Sequence, residues 1–247
     1  MVDDTGAEST TDVAVARTVA PTVDRIGADS VDVGAIAAAL RSIVDDDLAC
    51  GARAVLRDPI HPGERCLYVG VVDSVRRATA TGRMLAREVL HSMGVSPGPI
   101  LRTTGGRADW PAGIAGSIAH DDAVAVCVCG AGVNITIGVD VEPAEPLPRE
   151  IVADVVSTEL ERALVGNDLV LARLLFCAKE AVYKACFPLD AVFLEFKDVW
   201  LLEPATSTAG SWLMATSTGR QVRVQVRRAP RLLAVARVVS SLVPMAP

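Results

Sequence analysis

The amino-acid sequence predicts an α+β protein, because helical and strand-like segments follow one another without a regular βαβ repeat. Long segments carry apolar residues at helical spacing, and shorter ones are rich in β-branched residues and bounded by Gly or Pro. Hydrophobic residues make up 51% of the 247 residues, but aromatic residues only 4%. We therefore expect a folded chain with a core of Ala, Val, Leu and Ile.

The first half of the chain predicts a tail, two helices and short strands. Residues 1–30 lack sustained periodicity, and we expect a tail or a loosely attached strand there. Residues 33–55 begin as a helix and become ambiguous, while "RCLYVGVVDS" has the β-branched content of a strand. "SVRRATATGRMLAREVLHSMGV" is an amphipathic helix that Gly94 ends. Its basic side carries Arg76, Arg77, Arg83 and Arg87.

The segment "SPGPILRTTGGRADWPAGIAGSIAH" is rich in Gly and Pro, and we expect a loop with a short strand there. "AVAVCVCG" and "ITIGVDVEP" then predict two strands. Residues 150–187 are predominantly helical with an interruption at "GND", and Pro188 should end the helix. "FLEFKDVWLLEP", "SWLMATSTGRQVRVQVRR" and "RLLAVARVVSS" predict the closing strands.

Charge and composition exclude several classes of protein. A net charge of −6 and a pI near 5.1 argue against a nucleic-acid or membrane-surface binder. No apolar run is long enough for a membrane span, and the N-terminus is acidic, so we expect a cytoplasmic protein. The six cysteines lie in apolar segments, which favours buried thiols over metal ligands.

Two carboxylates in "GVDVEP" are candidates for a metal site. Asp140 and Glu142 lie two residues apart on a strand, which places both on one face about 7 Å apart. A solvated strand end would look the same. However, Val139 and Val141 mark the opposite face as buried, and paired like charges are costly unless a cation lies between them.

Two of the three lysines in the sequence lie in "LLFCAKEAVYKACFP". Glu180 and Lys184 are four residues apart and share a helical face, with Lys179 about 100° around the helix. An ordinary surface ion pair is one interpretation. The neighbouring residues are apolar, so these charges are expected to be partly buried and to need partners. Together with Asp140 and Glu142, Glu180 gives three carboxylates, which would suit Mg²⁺ or Mn²⁺. The lysines would then contact phosphate.

His120 follows the glycine-rich loop and is one of three histidines. A lone histidine is usually a solvated or satisfied side chain. Together with Arg107 and the arginines at positions 76–83, it could instead bind a second phosphate. No GxGxxG or GxxxxGK[ST] pattern is present, so a nucleotide-binding fold of those types is not predicted.

Taken in order, "WPAGIAGSIAH", "IGVDVEP" and "LLFCAKEAVYKACFP" resemble the three motifs of the 4′-phosphopantetheinyl transferases. The resemblance is to the bacterial group that activates carrier proteins of siderophore, polyketide and nonribosomal peptide synthesis. It implies two similar α+β halves related by a pseudo-twofold axis, with coenzyme A in the cleft between them. On this basis we place the halves at 31–134 and 135–247.

The resemblance also implies roles for individual residues. Asp140, Glu142 and Glu180 would hold Mg²⁺ on the coenzyme A pyrophosphate, and Lys179 and Lys184 would contact phosphate. The 3′-phosphate would be bound by a second group: His120, Arg83 and Arg76, with Arg107 nearby.

The implied reaction is attack of a carrier-protein serine on the β-phosphate, with Glu180 or a metal-bound water taking the proton. It releases adenosine 3′,5′-bisphosphate. The partner would be an apo acyl, peptidyl or aryl carrier protein, and a monomer would suffice. Two alternatives are a coenzyme A or nucleotide binding module without transfer activity, and a metal-dependent phosphohydrolase.

Overall fold

A computed structural model describes residues 31–204 and 209–240. The predicted tail at 1–30 and the last seven residues lie outside this range. The helices are α1 (Val33–Arg41), α2 (Asp73–Ser92), α3 (Arg149–Val155), α4 (Glu159–Val165) and α5 (Leu169–Asp190). The strands are β1 (Ala49–Ala54), β2 (Ile114–His120), β3 (Val124–Ala131), β4 (Ile135–Glu142), β5 (Val199–Glu203), β6 (Ala209–Thr216), β7 (Gln221–Arg227) and β8 (Leu232–Val239).

The strands form two antiparallel sheets, which confirms the α+β class. The first sheet has the order β1-β3-β2, and the second has the order β4-β8-β7-β6-β5. The chain therefore passes from the first sheet to the second between β3 and β4, and the division into halves at 134/135 stays a prediction. Each sheet carries one long helix, of 20 residues for α2 and 22 residues for α5. Equivalence of the halves by a pseudo-twofold axis stays a prediction.

The layers run from α2 through the two sheets to α5. α2 packs its apolar side on the face of β3 that carries Cys127 and Cys129. The other face of β3 packs with α1 against Val139 and Val141 of β4. α5 covers the outer face of the second sheet. Since alternate residues of a strand point to opposite faces, β4 directs its valines into the shared core and Asp140 toward α5.

Local signals explain where the helices begin. Asp32 accepts a hydrogen bond from the Ala35 N–H at 2.9 Å and so caps α1. The interruption predicted at "GND" is present: Asp168 caps α5 by accepting from two backbone N–H groups, both at 3.0 Å. Pro188 was predicted to end α5, but the helix continues to Asp190. Proline removes one helical hydrogen bond, and Ala191 at φ 52° then ends the helix.

The strand predicted over "RCLYVGVVDS" is wrong. His61 caps a short 3₁₀ helix at Pro62–Tyr68 instead, and α2 begins at Asp73. Val69 and Val72, which contributed to the β-branched content that suggested a strand, are exposed. The prediction that all six cysteines are buried fails at the same place, because Cys66 lies on this helix and is exposed. The other five are buried free thiols.

Helix lengths and hydropathy also bear on the membrane question. Among the residues that the structure describes, no helix is both long enough and apolar enough to cross a bilayer.

Candidate active site

A cavity of about 300 Å³ lies between the two halves of the chain. It is walled by α2, β2 and the loop before it on one side, and by β4 and α5 on the other. No carboxylate is among its lining residues. Five basic side chains line it: Arg83, Arg102, Arg107, His120 and Lys184. This arrangement favours an anion with several charges.

Backbone contact between α5 and β4 brings Lys184 to this cavity. A Cβ atom added to Gly138 would lie 1.8 Å from the Ala181 carbonyl oxygen, so only glycine permits this approach. Lys184 then donates hydrogen bonds to the Val139 carbonyl at 3.2 Å and to Asp140 Oδ1 at 2.6 Å. Burial opposes the lysine charge, but Asp140 outweighs it and raises the pKa of Lys184. Two of its three protons are used, and one remains for a ligand.

A hydrogen bond joins the two halves beside this lysine. The Ser117 hydroxyl on β2 accepts from the Val139 N–H at 3.0 Å. It fixes β2 against β4 although the two strands belong to different sheets. His120 is therefore held at the exposed end of β2, facing the same cavity. Desolvation, then the charges of Lys184 and Arg83, lower the pKa of His120, and a bound anion would oppose this effect.

Two of the predicted phosphate ligands on α2 point to different places. Arg83 is buried, donates from Nε to the Ile100 carbonyl at 2.9 Å and lines the cavity. Burial, together with the charge of Arg102, lowers its pKa. Arg76 is exposed and lines a separate depression beside Arg65 and Arg77. The structure therefore brings Arg83 together with His120 but not Arg76.

Arg107 reaches the cavity from the glycine-rich loop. Its guanidinium lies 5.7 Å from the centre of the Phe187 ring on α5, within the range of a cation–π contact. The preceding loop approaches closely: a Cβ on Gly105 would lie 2.9 Å from the same ring. This contact closes one side of the cavity.

The acidic residues lie next to the basic cavity, on the α5 face of β4. Oδ2 of Asp140 is buried and accepts no hydrogen bond within the described part of the chain. Glu142 lies 3.6 Å from Arg173. Burial, and next the charge of Asp140, raise the pKa of Glu142 to about 7. A buried carboxylate oxygen without a partner and a carboxyl that resists ionisation are what a cation would relieve.

Glu180, the third predicted metal ligand, lines a second cavity of about 580 Å³. Tyr183 is among the lining residues of both cavities. Burial raises the pKa of Glu180. Within residues 31–204 and 209–240, no group of three or more His, Cys, Asp and Glu side chains is gathered closely enough to hold a metal ion. Oxygen ligands of this kind still suit Mg²⁺, and the three-carboxylate site stays a prediction.

The predicted contact of Lys179 with phosphate is corrected by the structure, because this side chain lines neither cavity. Its side chain is 1% exposed and lies 2.9 Å from Glu161. It also donates to the carbonyl oxygens of Val155 and Phe196. These three acceptors satisfy the whole ammonium group, so none of its protons is left for a phosphate. The sequence marks Glu161 only as the last residue of a capping box that begins at Thr158.

Several cavity residues were not predicted as ligands. Tyr183 was expected only as an apolar helix residue and Phe187 as part of an apolar docking surface, while Ser117 and Trp110 lie in the motif "WPAGIAGSIAH" and were given no role of their own. Arg173 was not recognised as the partner of Glu142. Helical spacing could have suggested Phe187, which lies one turn beyond Lys184. The other contacts join distant parts of the chain and leave no local pattern.

Comparison with known proteins gives the family. A model of the 4′-phosphopantetheinyl transferase N-terminal domain matches residues 67–130, and one of the 4′-phosphopantetheinyl transferase superfamily matches residues 136–236. The 4′-phosphopantetheinyl transferase Npt of Nocardia iowensis is 36% identical over 158 residues, which cover 61% of this chain and 71% of Npt. The chain belongs to the 4′-phosphopantetheinyl transferase superfamily.

Two further relatives of this superfamily have similar identity. The 4′-phosphopantetheinyl transferase PptT of Mycobacterium tuberculosis is 36% identical over 152 residues, 60% of this chain and 66% of PptT. Svp of Streptomyces mobaraensis, also named a 4′-phosphopantetheinyl transferase, is 36% identical over 137 residues, 52% of this chain and 55% of Svp. The family predicted from the three motifs is thus confirmed.

Proposed function

We propose that this protein transfers the 4′-phosphopantetheine group of coenzyme A to a serine of an apo carrier protein. The observation that carries the proposal is the basic cavity between the halves, with the Lys184–Asp140 pair at its boundary with the acidic residues. Coenzyme A is a polyanion whose pyrophosphate and 3′-phosphate lie apart, and the cavity offers cations at two places. Membership of the superfamily supports the same reaction.

The two ends of the nucleotide would be held by different halves of the chain. His120 and Arg83 line one side of the cavity and would bind the 3′-phosphate, with Arg107 from the loop beside them. Lys184 on α5 would bind the pyrophosphate with its remaining proton. This division of charges orients the β-phosphate toward Asp140 and away from His120.

Mg²⁺, or Mn²⁺, would be held by Asp140, Glu142 and Glu180, and when bound it would neutralise the pyrophosphate and polarise the β-phosphorus. The unpartnered Oδ2 of Asp140 supports the first of these ligands, and the raised pKa of Glu142 supports the second. The hydrogen bond from Lys184 fixes the direction of the Asp140 carboxylate.

The proposed reaction forms one bond and breaks one. The serine oxygen attacks the β-phosphorus, the pyrophosphate P–O bond breaks, and adenosine 3′,5′-bisphosphate leaves. Glu180 accepts the serine proton, and burial raises its pKa, which makes it a stronger base than an ordinary carboxylate. Lys184 stabilises the charge that develops on the leaving phosphate.

The carrier protein would dock beside the second cavity, where Val192 and Phe193 are exposed and Tyr183 forms part of the wall. An apolar surface suits a partner that must approach a chain of net charge −6. A monomer would suffice, because one chain supplies both sides of the basic cavity. We place the reaction in the cytoplasm, where free thiols stay reduced.

Mass spectrometry of an apo carrier protein incubated with the full chain, coenzyme A and Mg²⁺ tests this proposal. We expect the carrier mass to increase by one phosphopantetheine group, and a carrier whose serine is replaced by alanine to stay unmodified. Breakdown of coenzyme A without any carrier would instead indicate a phosphohydrolase. Binding of coenzyme A with neither outcome would indicate a binding module.

A further inference from the structure

The buried Lys179–Glu161 pair joins separate segments of the second half. Lys179 Nζ is 2.7 Å from the Val155 carbonyl oxygen at the end of α3 and 3.0 Å from the Phe196 carbonyl oxygen. Its third partner is Glu161 at 2.9 Å. Burial lowers the pKa of Lys179, and Glu161 acts against this effect. The ammonium thus fixes two backbone segments against α5.

Glu161 extends the same network along the segment that follows α3 and to strand β5. It is fully buried, and its Oε2 accepts hydrogen bonds from the backbone N–H groups of Ser157 and Thr158 at 2.8 and 3.0 Å. Its Oε1 accepts from the Leu201 N–H on β5 at 3.1 Å. Burial alone would raise the pKa of Glu161, but the bonds from Lys179 and the backbone lower it. The carboxylate is therefore ionised and held from several sides.

The segments held in this way form the walls around Glu180. Ser157 and Phe196 line the same cavity as Glu180, and Lys179 precedes Glu180 on α5. Lys179 and Glu161 are not themselves among the lining residues. The pair therefore lies behind the cavity and sets the distance between its walls and the helix that carries Glu180.

Stability alone does not account for a buried ion pair at this position. Replacing such a pair by apolar residues of similar volume is often neutral or stabilising, because both charges must lose their hydration. Hydrogen bonds with fixed directions, by contrast, specify one arrangement of the segments that they join. A misplacement of about 1 Å at a reacting group can reduce the rate by about 10²-fold.

We propose that Lys179 and Glu161 are a positioning pair for the transfer step. They hold the 155–158 and 195–197 segments so that Glu180 faces the incoming serine. This inference rests on the proposed function, because it assigns the pair to the catalytic step of that reaction. The pair touches neither substrate nor metal and does not bind the nucleotide end of coenzyme A.

Steady-state kinetics with Lys179→Met separate this role from a structural one. Methionine is unbranched like lysine and only one heavy atom shorter, so it fills most of the same space but makes none of the three hydrogen bonds. We expect kcat to fall by about tenfold or more, while the KM for coenzyme A changes by less than about twofold, because the basic cavity is intact. Transfer by the wild-type chain is measured first, so that absence of the reaction itself is recognised separately.

A double variant, Lys179→Met with Glu161→Gln, keeps the test decisive if the single variant folds poorly. Removing the unpaired buried charge should restore much of the melting temperature, but kcat should stay low because Val155 and Phe196 remain unbound. Arg53→Met serves as a matched control. It breaks the buried pair with Asp58 in the first half and should lower the melting temperature with kcat unchanged.

Two results would overturn the proposal. One is a folded Lys179→Met protein whose kcat is within twofold of the wild-type value. The other is a double variant in which kcat recovers together with the melting temperature, since the effect of the pair would then be stability alone.

Discussion

The long helices α2 and α5 have similar lengths but carry their charges in different surroundings. Asp73 and Arg76 of α2 lie on its exposed side, where an ion pair contributes about 0–1 kcal/mol. On α5, Lys179 and Lys184 each contact a buried carboxylate, and removing one partner of such a pair costs about 3–5 kcal/mol. Similar substitutions should therefore have unequal consequences in the two halves.

The comparison is sharpest for two glycines, and here we expect the largest effect. A Cβ at Gly138 would meet the α5 backbone at 1.8 Å, whereas one at Gly82 of α2 would meet a methyl group of Ile118 at 2.8 Å. Gly138→Ala should lower the free energy of unfolding by about 3 kcal/mol or more, because backbone must move. Gly82→Ala should cost less, since a side chain can turn away and alanine favours the helix. Chemical denaturation measures both, and equal losses would contradict the comparison.

Asp140 and Asp73 extend the comparison from packing to catalysis. Asp140→Ala removes a proposed metal ligand and the partner of Lys184, so turnover should fall by at least about 10²-fold. Glu142→Ala should act in the same direction. The same change at Asp73, an exposed carboxylate that pairs with Arg57 and Arg77, should leave turnover within about twofold. Near wild-type activity of Asp140→Ala in Mg²⁺ would show that the proposed carboxylate site is wrong.

Substitutions in the first half, which affect binding of the 3′-phosphate, should have smaller effects than Asp140→Ala. Coenzyme A should be preferred over its 3′-dephospho form by about 1–3 kcal/mol, the range for hydrogen bonds to charged groups. His120→Ala should remove most of this preference, measured by calorimetry. Arg76→Ala should leave it unchanged, because Arg76 lines a different depression. A preference that survives in His120→Ala would assign the 3′-phosphate to Arg83 or Arg107.

The raised pKa of Glu142 predicts a pH dependence of stability in metal-free buffer. Its folded-state pKa is about 7 against an ordinary value of 4.5. The folded protein therefore binds this proton more tightly than the unfolded chain, and the resulting stability is lost as the pH rises from about 4.5 to about 7. The groups that act on it are Asp140, Arg173, Asp121 and Lys184.

Glu142→Gln should remove this dependence. The difference in free energy of unfolding between wild type and variant should change by on the order of 1 kcal/mol between pH 4.5 and 7.5. Thermal unfolding at a series of pH values measures it. Parallel pH profiles of the two proteins would show that Glu142 titrates normally.

The smallest effect is expected for salt, which acts on the exposed charges of α2. Raising ionic strength from about 0.05 to 0.5 M shortens the Debye length from roughly 14 to 4 Å. Because docking is proposed on the apolar surface near Phe193, the KM for carrier protein should rise less than about fivefold. A rise of tenfold or more would show that the arginines of α2, such as Arg76 and Arg77, dominate recognition.

Much of the fold follows from local patterns in the sequence. The amphipathic pattern of α2, the interruption at "GND" before α5 and the alternation of β4 are properties of neighbouring residues, and all three were predicted. The 3₁₀ helix at Pro62–Tyr68 was missed. The valines that follow this helix, Val69, Val71 and Val72, resemble a strand in the sequence, and whether valines are buried depends on distant parts of the chain.

Site residues could be predicted only where a local sequence motif marks them. Asp140 and Lys184 lie where the motifs suggested, beside the cavity. Lys179 was misassigned, because its partner Glu161 is 18 residues earlier on another helix and its other acceptors are backbone oxygens. Lys179 and Lys184 both lie among apolar residues of the same helix, so the local sequence does not show which of them is free to contact phosphate.

The shared core between the sheets has a consequence for how the chain unfolds. Ile137, Val139 and Val141 of β4, with Leu233 and Val235 of β8, complete the hydrophobic cluster of α1, β1 and β3. A fragment ending at residue 134 would expose that cluster to water and would not fold alone. Heating should therefore melt both sheets in one cooperative transition, and the two fragments, produced separately, should regain structure only when mixed.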